Sequence, residues 1–426
     1  MVSFVPRGGV RHMTDSPVRC RSCGSSNLEL ILSLGRTPLA NALVSPDHLD
    51  DPEPTFPLDL AFCPQCTLVQ ITHSVPPEEL FSEYVYFSSF SDTMLRHSRG
   101  LVGRLIDQER LDASSLALEV ASNDGYLLQY YRDRGIPVLG IEPAVNIARV
   151  AEERGIPTVC DFFGHELARR LRDEGRRADV VHANNVLAHV PDLNGFAQGL
   201  GIVLKDDGVA VIEVPYVRNL IDQVEFDTIY HEHLCYFSLT ALTALFGRHG
   251  LQIVDVEHIT LHGGSLQVFV RKVAAGGSGT AGRDAVAAVL AAEDEWGVRS
   301  LVPYRRFTHT VEALRTRLLS LLHDLKKRGC RIAAYGASAK GSTLLNYCGI
   351  GVETIDFVVD RSTVKQGLYT PGTRLRIEPP EVLLERQPDY ALLLTWNFAD
   401  EILDQQREYL RRGGHFIIPI PELRVV

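Results

Sequence analysis

The sequence predicts an α/β chain of more than one domain, and three observations carry that prediction. Two tight cysteine pairs, Cys20 with Cys23 and Cys63 with Cys66, mark a small N-terminal module. Two separated stretches, SLALEVASNDG from Ser115 and CRIAAYGASAKGS from Cys330, each run an apolar strand into a small-residue turn and then a helical pattern. That beginning belongs to doubly wound parallel sheets, whose ligands sit beyond the strand ends. The 426 residues leave room for two or three such cores.

The net charge of -10 argues against a nucleic-acid partner, because phosphate binding wants a basic surface. No run of about 18 apolar residues occurs, so neither a membrane span nor a membrane partner is expected. The opening MVSFVPRGGVRHMT lacks the apolar core of a secretory signal. A cytoplasmic protein is the resulting expectation.

In such a reducing setting the four paired cysteines suit a metal better than two disulfides. Each C-x-x-C turn aims two thiolates at one ion, so Cys20, Cys23, Cys63 and Cys66 are the expected ligands of a zinc. Four thiolates leave no open coordination position, which makes the zinc structural. Between the pairs, FPLDLAF alternates like a short strand, and the module is bounded at residues 1–75. Next comes LFSEYVYFSSFSD with Tyr84 and Tyr86, readable either as a half-buried strand or as the wall of a pocket. Thr93 to Glu109 carries Met94, Leu101, Leu105 and Ile106 near helical spacing and reads as a lead-in helix.

The middle of the chain, bounded at 76–272 with that helix, repeats strands ending in polar residues. LALEVA runs into a turn holding Ala121, Asn123 and Gly125, with Glu119 near the strand's end. PVLGIEP ends at Glu142, placed to accept hydrogen bonds from two ribose hydroxyls. IPTVCDFF ends at Asp161 beside Phe162, a pairing that suits the amino group and π face of an adenine. ADVVHANNVLAHVPD ends at Asn184 and Asn185, with His189 soon after. GVAVIEVPYV gives a fifth strand ending at Glu213. Ala121 and Asn123 stand where a dinucleotide fingerprint has glycines. Order, spacing and strand-end chemistry therefore fit a class I S-adenosylmethionine methyltransferase better than a nicotinamide enzyme.

Directly after the fifth strand lies FDTIYHEHLCYFS, Phe226 to Ser238. Its imidazoles, carboxylate and phenol can exchange protons near neutral pH. In a helix Tyr230 and His233 would share a face. In a strand Tyr230 would side with Glu232, and His231 with His233. The segment LHGGSLQVFVRK reads as the strand that closes the sheet, with His262, Gly263 and Gly264 forming its hairpin turn.

AAGGSGTAGR then opens a stretch of linker and helices at 273–325, including the helical VEALRTRLLSLLHDLKKRG. The last domain, 326–426, begins with the second strand–turn–helix. Gly336, Ala337 and Ser338 let backbone amides approach an anion, and Lys340 adds charge. TIDFVVD and DYALLLTWN end at Asp360 and at Trp396-Asn397.

Taken together, the two cysteine pairs, EVASNDG, HANNVLAHVPD, YHEH and YGASAKGSTLLNY resemble the zinc-containing sugar C-methyltransferases of antibiotic deoxysugar pathways, from about Cys20 to Val426. The fold implied is α/β: an N-terminal zinc-binding module, a class I methyltransferase Rossmann-like domain and a C-terminal Rossmann-like domain. The resemblance implies C-methylation of a nucleoside-diphosphate-linked 4-keto-6-deoxy sugar at a carbon beside the ketone, with S-adenosyl-L-methionine as methyl donor. It makes His233 the proton-abstracting base, with Glu232, His189, Tyr230 and one of Tyr84 or Tyr86 as companions. Glu119, Ala121, Asn123, Gly125, Glu142, Asp161, Phe162 and Asn184 would hold the cofactor. Tyr335, Ser338, Lys340 and Asn397 would hold the sugar nucleotide. Two other readings stand beside it: a methyltransferase for a hydroxyl, amine or activated carbon of a non-sugar molecule, and a non-catalytic nucleotide-binding scaffold.

Overall fold

A computed structural model of the chain describes residues 18–77, 80, 88–90, 92–259, 263–273 and 283–426. Tyr84, Tyr86, His262 and most of AAGGSGTAGR lie outside the described residues. The N-terminal sheet begins with β1 (Glu29–Thr37), β2 (Phe56–Phe62) and β3 (Val69–Ile71), all antiparallel. Its fourth strand, Cys235–Tyr236, arrives from far along the chain and pairs with Val69 and Gln70.

Each cysteine pair sits on a tight turn closed by a left-handed residue. Gly24 (φ 74°) returns its N–H to the Cys20 carbonyl, and Thr67 (φ 64°) returns its own to Cys63. The turns face each other, so the four thiol sulfurs lie within 4.8 Å of one another. Thiols this close perturb one another: hydrogen bonding between them pushes Cys20 down to about 5 and Cys66 far above the usual range. A divalent cation relieves that conflict by holding all four as thiolates, so the cluster fits a tetrahedral zinc.

The middle sheet contains β4 (Ala117–Val120), β5 (Val138–Ile141), β6 (Thr158–Val159), β7 (Ala178–Asn184) and β8 (Leu204–Pro215). After β9, the Cys235–Tyr236 strand already placed, β10 (Leu251–Ile259) and β11 (Ser265–Lys272) complete it. The order is β10-β11-β8-β7-β4-β5-β6, with β4 to β8 parallel and β11 antiparallel to both neighbours. The fifth strand runs past Glu213 to Pro215 because Ser265 of β11 pairs there. Chain direction across the sheet reverses at β4, opening a crevice beyond the ends of β4 and β7. The lead-in helix Asp92–Glu109 buries Met94, Leu101, Val102 and Leu105.

The C-terminal sheet contains β12 (Ile332–Tyr335), β13 (Val358–Val359), β14 (Ile377–Glu378), β15 (Tyr390–Leu393), β16 (His415–Ile418) and β17 (Arg424–Val425). Its order, β14-β13-β12-β15-β16-β17, reverses at β12, and only β17 is antiparallel. Gly336 follows β12 at φ 94°, where a Cβ would strike the Thr395 side chain at 2.5 Å. Only glycine lets that turn close against the loop after β15. The long helix Val302–Lys327 buries Phe307, Val311, Leu314, Leu318, Leu322 and Leu325, and Thr308 Oγ1 donates to the Ile31 carbonyl of β1 at 2.6 Å. Among the described residues no helix is long and apolar enough to cross a membrane.

Because β9 belongs to the cysteine-bearing sheet, chelating the zinc is expected to loosen more than that module. Hydrogen–deuterium exchange should lose protection across residues 29–71 and also across 229–236. Full protection of 229–236 in the zinc-free protein would contradict this coupling.

Candidate active site

Phe226–Thr228 forms a single 3-10 turn, and His233 N–H then returns to the Tyr230 carbonyl at 2.9 Å. The stretch is therefore a pair of turns, neither helix nor strand. Leu234 pins it on two sides: its N–H donates to the Ala188 carbonyl after β7 (2.7 Å), and its carbonyl accepts from Ile71 of β3 (3.0 Å). Tyr230 and His233 emerge on one side, ring centroids 4.2 Å apart and Tyr230 Oη 3.0 Å from His233 Nε2. His233 Nδ1 lies 2.9 Å from the Thr228 carbonyl. A carbonyl only accepts, so Nδ1 carries the proton and Nε2 the lone pair, which the phenol O–H meets.

His189 joins them edge-on, its ring 4.9 Å from that of His233. Its Nδ1–H donates to the Glu232 carbonyl at 2.6 Å, and burial holds its pKa below the ordinary imidazole value. The Glu232 carboxylate points elsewhere and accepts from Asn41 Nδ2 at 2.6 Å. Burial pushes that carboxyl up, with partial relief from the Asn41 amide. His231 turns away, its Nε2–H on the Pro57 carbonyl of β2 (3.2 Å) and its ring edge-on to Phe56. Tyr230, His233 and His189 are thus brought together. Glu232 stands behind them, and His231 locks the stretch to the zinc module.

On the other flank Glu225 and Asp227 are buried where the C-terminal domain meets the stretch. Trp396 Nε1–H donates to Asp227 Oδ2 at 2.7 Å, and Lys340 Nζ lies 4.9 Å from the centre of the same indole. Burial raises Glu225 to about 7 and Asp227 to about 6, against partial relief from the Lys340 charge. Gly263 (φ 93°) packs so closely that a Cβ there would lie 2.4 Å from Glu225 Oε1.

The crevice beyond β4 gathers most of the expected cofactor residues. Ala121, Asn123 and Gly125 are left-handed (φ 51°, 49° and 79°), which coils the loop around the strand end. Glu142 accepts the N–H groups of Asn123 (3.0 Å) and Ala144 (2.9 Å), leaving lone pairs for hydroxyl donors. Burial pushes Glu119 well above its ordinary value, against partial relief from the Tyr126 phenol. Glu119 Oε2 and Asn184 Oδ1 are buried acceptors with no partner among the described residues. Orphaned acceptors beside a carboxylate with spare lone pairs fit the hydroxyl and amino donors of S-adenosylmethionine. Asp161 pairs with Arg170 at 3.0 Å, and the exposed Phe162 follows it after β6.

The expected sugar-nucleotide residues do not form one group. Ser338 Oγ accepts from Gly341 N–H at 3.1 Å and caps the helix Ala339–Cys348. Lys340 rests on Trp396, and Asn397 is half-buried on the same turn. Tyr335 instead lines a separate cavity of about 410 Å³ with Arg361, Gln366, Glu381 and Gln406. Asn41 and Asp227 are site residues that spacing along the chain did not reveal, and Trp396, expected as a strand end, gains Asp227 as an unforeseen partner.

Comparison with known proteins agrees with this layout. Residues 20–81 match the profile of a zinc binding domain, residues 94–256 a methyltransferase domain, and residues 260–421 a C-methyltransferase C-terminal domain. The C-methyltransferase NovU of Streptomyces niveus is 39% identical over 407 residues, covering 96% of each chain. Among solved structures, an S-adenosylmethionine-dependent methyltransferase from Clostridium acetobutylicum is 12% identical, covering 42% of this chain and 92% of its own (TM-score 0.35). The PH0226 protein of Pyrococcus horikoshii is 15% identical, covering 47% and 100% (TM-score 0.36).

The buried acids give a stability prediction. The folded chain keeps the Glu225 proton up to about 7, whereas the ordinary value is 4.5. Glu225 therefore lowers stability as pH rises through that window, and its cost is complete above it. Glu225→Gln is expected to raise Tm by about 2–4 °C at pH 8 relative to wild type and to change little at pH 5. A larger gain at pH 5 than at pH 8 would contradict the raised pKa.

Proposed function

The chain belongs to the C-methyltransferase family, and from that premise we propose that it methylates a nucleoside-diphosphate-linked 4-keto-6-deoxy sugar at a carbon beside the ketone. It is an S-adenosylmethionine-dependent methyltransferase. The observation that carries the finer reading is His233, whose Nδ1–H is committed to Thr228 while Nε2 faces the Tyr230 phenol.

A carbon beside a ketone is a weak acid, so its removal as a proton needs a base that titrates near the working pH. Imidazole meets that requirement without a large shift. In the resting site the Tyr230 hydroxyl satisfies the lone pair on His233 Nε2. Turning that hydroxyl to the sugar's carbonyl oxygen exposes Nε2 to the carbon-bound proton. The same phenol then donates to the oxygen as negative charge develops there. His189, kept neutral by burial and held by the Glu232 carbonyl, would stand beside the sugar as a companion of the base. Glu232, held by Asn41 behind them, would be a companion that fixes the stretch. Glu119, Ala121, Asn123, Gly125, Glu142, Asp161, Phe162 and Asn184 would hold S-adenosylmethionine, which when bound supplies the electrophilic methyl group. With donor and carbanion held in line, transfer needs mainly positioning. The C-terminal domain, through Ser338, Lys340 and Asn397, would hold the nucleotide portion, and one of Tyr84 or Tyr86 would complete the pocket. Domain limits of 1–75, 76–272, 273–325 and 326–426 are proposed on the same reading.

The test is co-incubation of the purified protein with S-adenosylmethionine and a panel of thymidine-diphosphate keto sugars, read by mass. Gain of one methylene by a keto sugar is expected; transfer confined to hydroxyls or amines of other acceptors would overturn the reading. His233→Ala or His233→Asn should lower transfer by about 10²–10⁴-fold while cofactor affinity is retained. Near-normal turnover in either variant would remove His233 from the base role.

A further inference from the structure

The turn Phe226–Thr228 is where the C-terminal domain touches the stretch that carries His233. Asp227 is fully buried, and its Oδ2 receives the Trp396 indole N–H at 2.7 Å. Its other oxygen, Oδ1, has no partner among the described residues, so that indole is the main donor holding the carboxyl. On the face of the same ring Lys340 Nζ sits 4.9 Å from the centre, where a cation draws electron density and sharpens the N–H as a donor. The next residue, Thr228, donates its N–H to the Glu225 carbonyl at 3.1 Å and is held by further contacts. Its Oγ1–H donates to the Glu225 carbonyl at 2.7 Å, and its own carbonyl accepts from Tyr236 Oη at 3.3 Å and from His233 Nδ1 at 2.9 Å.

We propose that Trp396 and Asp227 are positioning residues. The buried indole–carboxyl bond fixes the turn, the turn aims the Thr228 carbonyl, and that carbonyl holds His233 in the tautomer that leaves Nε2 unprotonated. The C-terminal domain thereby sets the protonation geometry of an imidazole that stands on the middle domain. The catalytic meaning of this arrangement rests on His233 being the base; the tautomer itself does not.

A merely structural pin between domains would leave the imidazole unaffected, and that difference is measurable without turnover. The full chain carrying ¹⁵N-labelled histidine is observed by long-range ¹H–¹⁵N spectra, with the His233 signals assigned by their loss in His233→Gln. The wild type is expected to show the Nδ1–H tautomer alone. Trp396→Phe keeps the ring beside Lys340 and deletes the donor. Asp227→Ala deletes the acceptor without leaving a buried charge, and so serves if Trp396→Phe does not fold. Both are expected to give mixed tautomers at His233, with His182, buried on Tyr131 at 2.9 Å, unchanged as an internal reference. Asp227→Asn retains an acceptor for the indole and should keep the wild-type spectrum. With the thymidine-diphosphate keto sugar that is turned over, Asp227→Ala should lower kcat by about 10-fold or more with KM nearly unchanged. A single Nδ1–H tautomer in Asp227→Ala, or an Asp227→Asn spectrum as mixed as that of Asp227→Ala, overturns the proposal. Failure of the base assignment is recognised separately, by near-normal transfer in His233→Ala, and leaves the tautomer measurement standing.

Discussion

The pairing of Cys235–Tyr236 with Val69 and Gln70 is the interaction on which the site depends. It makes the chain segment just after His233 a strand of the zinc module's sheet, while Leu234 N–H holds the same segment to the loop after β7. Two sheets of one continuous core thus share a short backbone segment, and Tyr230, His233 and His189 stand at the seam. Asn41 and Pro57 of the zinc module reinforce it by holding Glu232 and His231. The four cysteines, on the sheet that receives Cys235–Tyr236, are in this way linked through backbone pairing to the stretch that carries the imidazoles.

The histidines of the stretch and of the loop after β7 differ here through the carbonyls they meet. His231 donates through Nε2 to a strand carbonyl, while His189 and His233 donate through Nδ1 to loop carbonyls. The nitrogen left over is what each offers to chemistry: buried against the zinc module for His231, and on the Tyr230 side for His233. Backbone carbonyls are economical selectors of this kind, since they accept and never donate, and so fix a tautomer without adding charge.

Much of the fold was legible because its signals are local. The cysteine pairs, the lead-in helix from Thr93 and the strands ending at Glu142, Asn184 and Asp360 each announce themselves within about ten residues. The stretch around YHEH was legible as a place for chemistry but not as a shape. Both regular conformations fitted its pattern, and the turns it adopts are imposed by Ala188 and Ile71 from outside. Asn41 and Asp227 gave no signal and Trp396 was legible only as a strand end, because each acts on a partner roughly 170 to 190 residues away and spacing says nothing about such encounters. The strand past Glu213 was missed for the same reason: its last residues are ordered by antiparallel pairing with the distant β11. Tyr335 was grouped with Lys340 by proximity in sequence, yet Tyr335 lines its own cavity while Lys340 lies over the indole.

The borrowed fourth strand also constrains when the N-terminal sheet can be finished during synthesis. Residues 29 to 71 leave the ribosome with the exposed edge of β3 unpaired, and its partner is made only after the whole parallel core of β4 to β8. Metal capture by the cysteine turns can precede that moment, since both pairs are complete by Cys66. Any ordering of that edge before its distant partner is made therefore has to come from within residues 29 to 71 and the cysteine turns beside them.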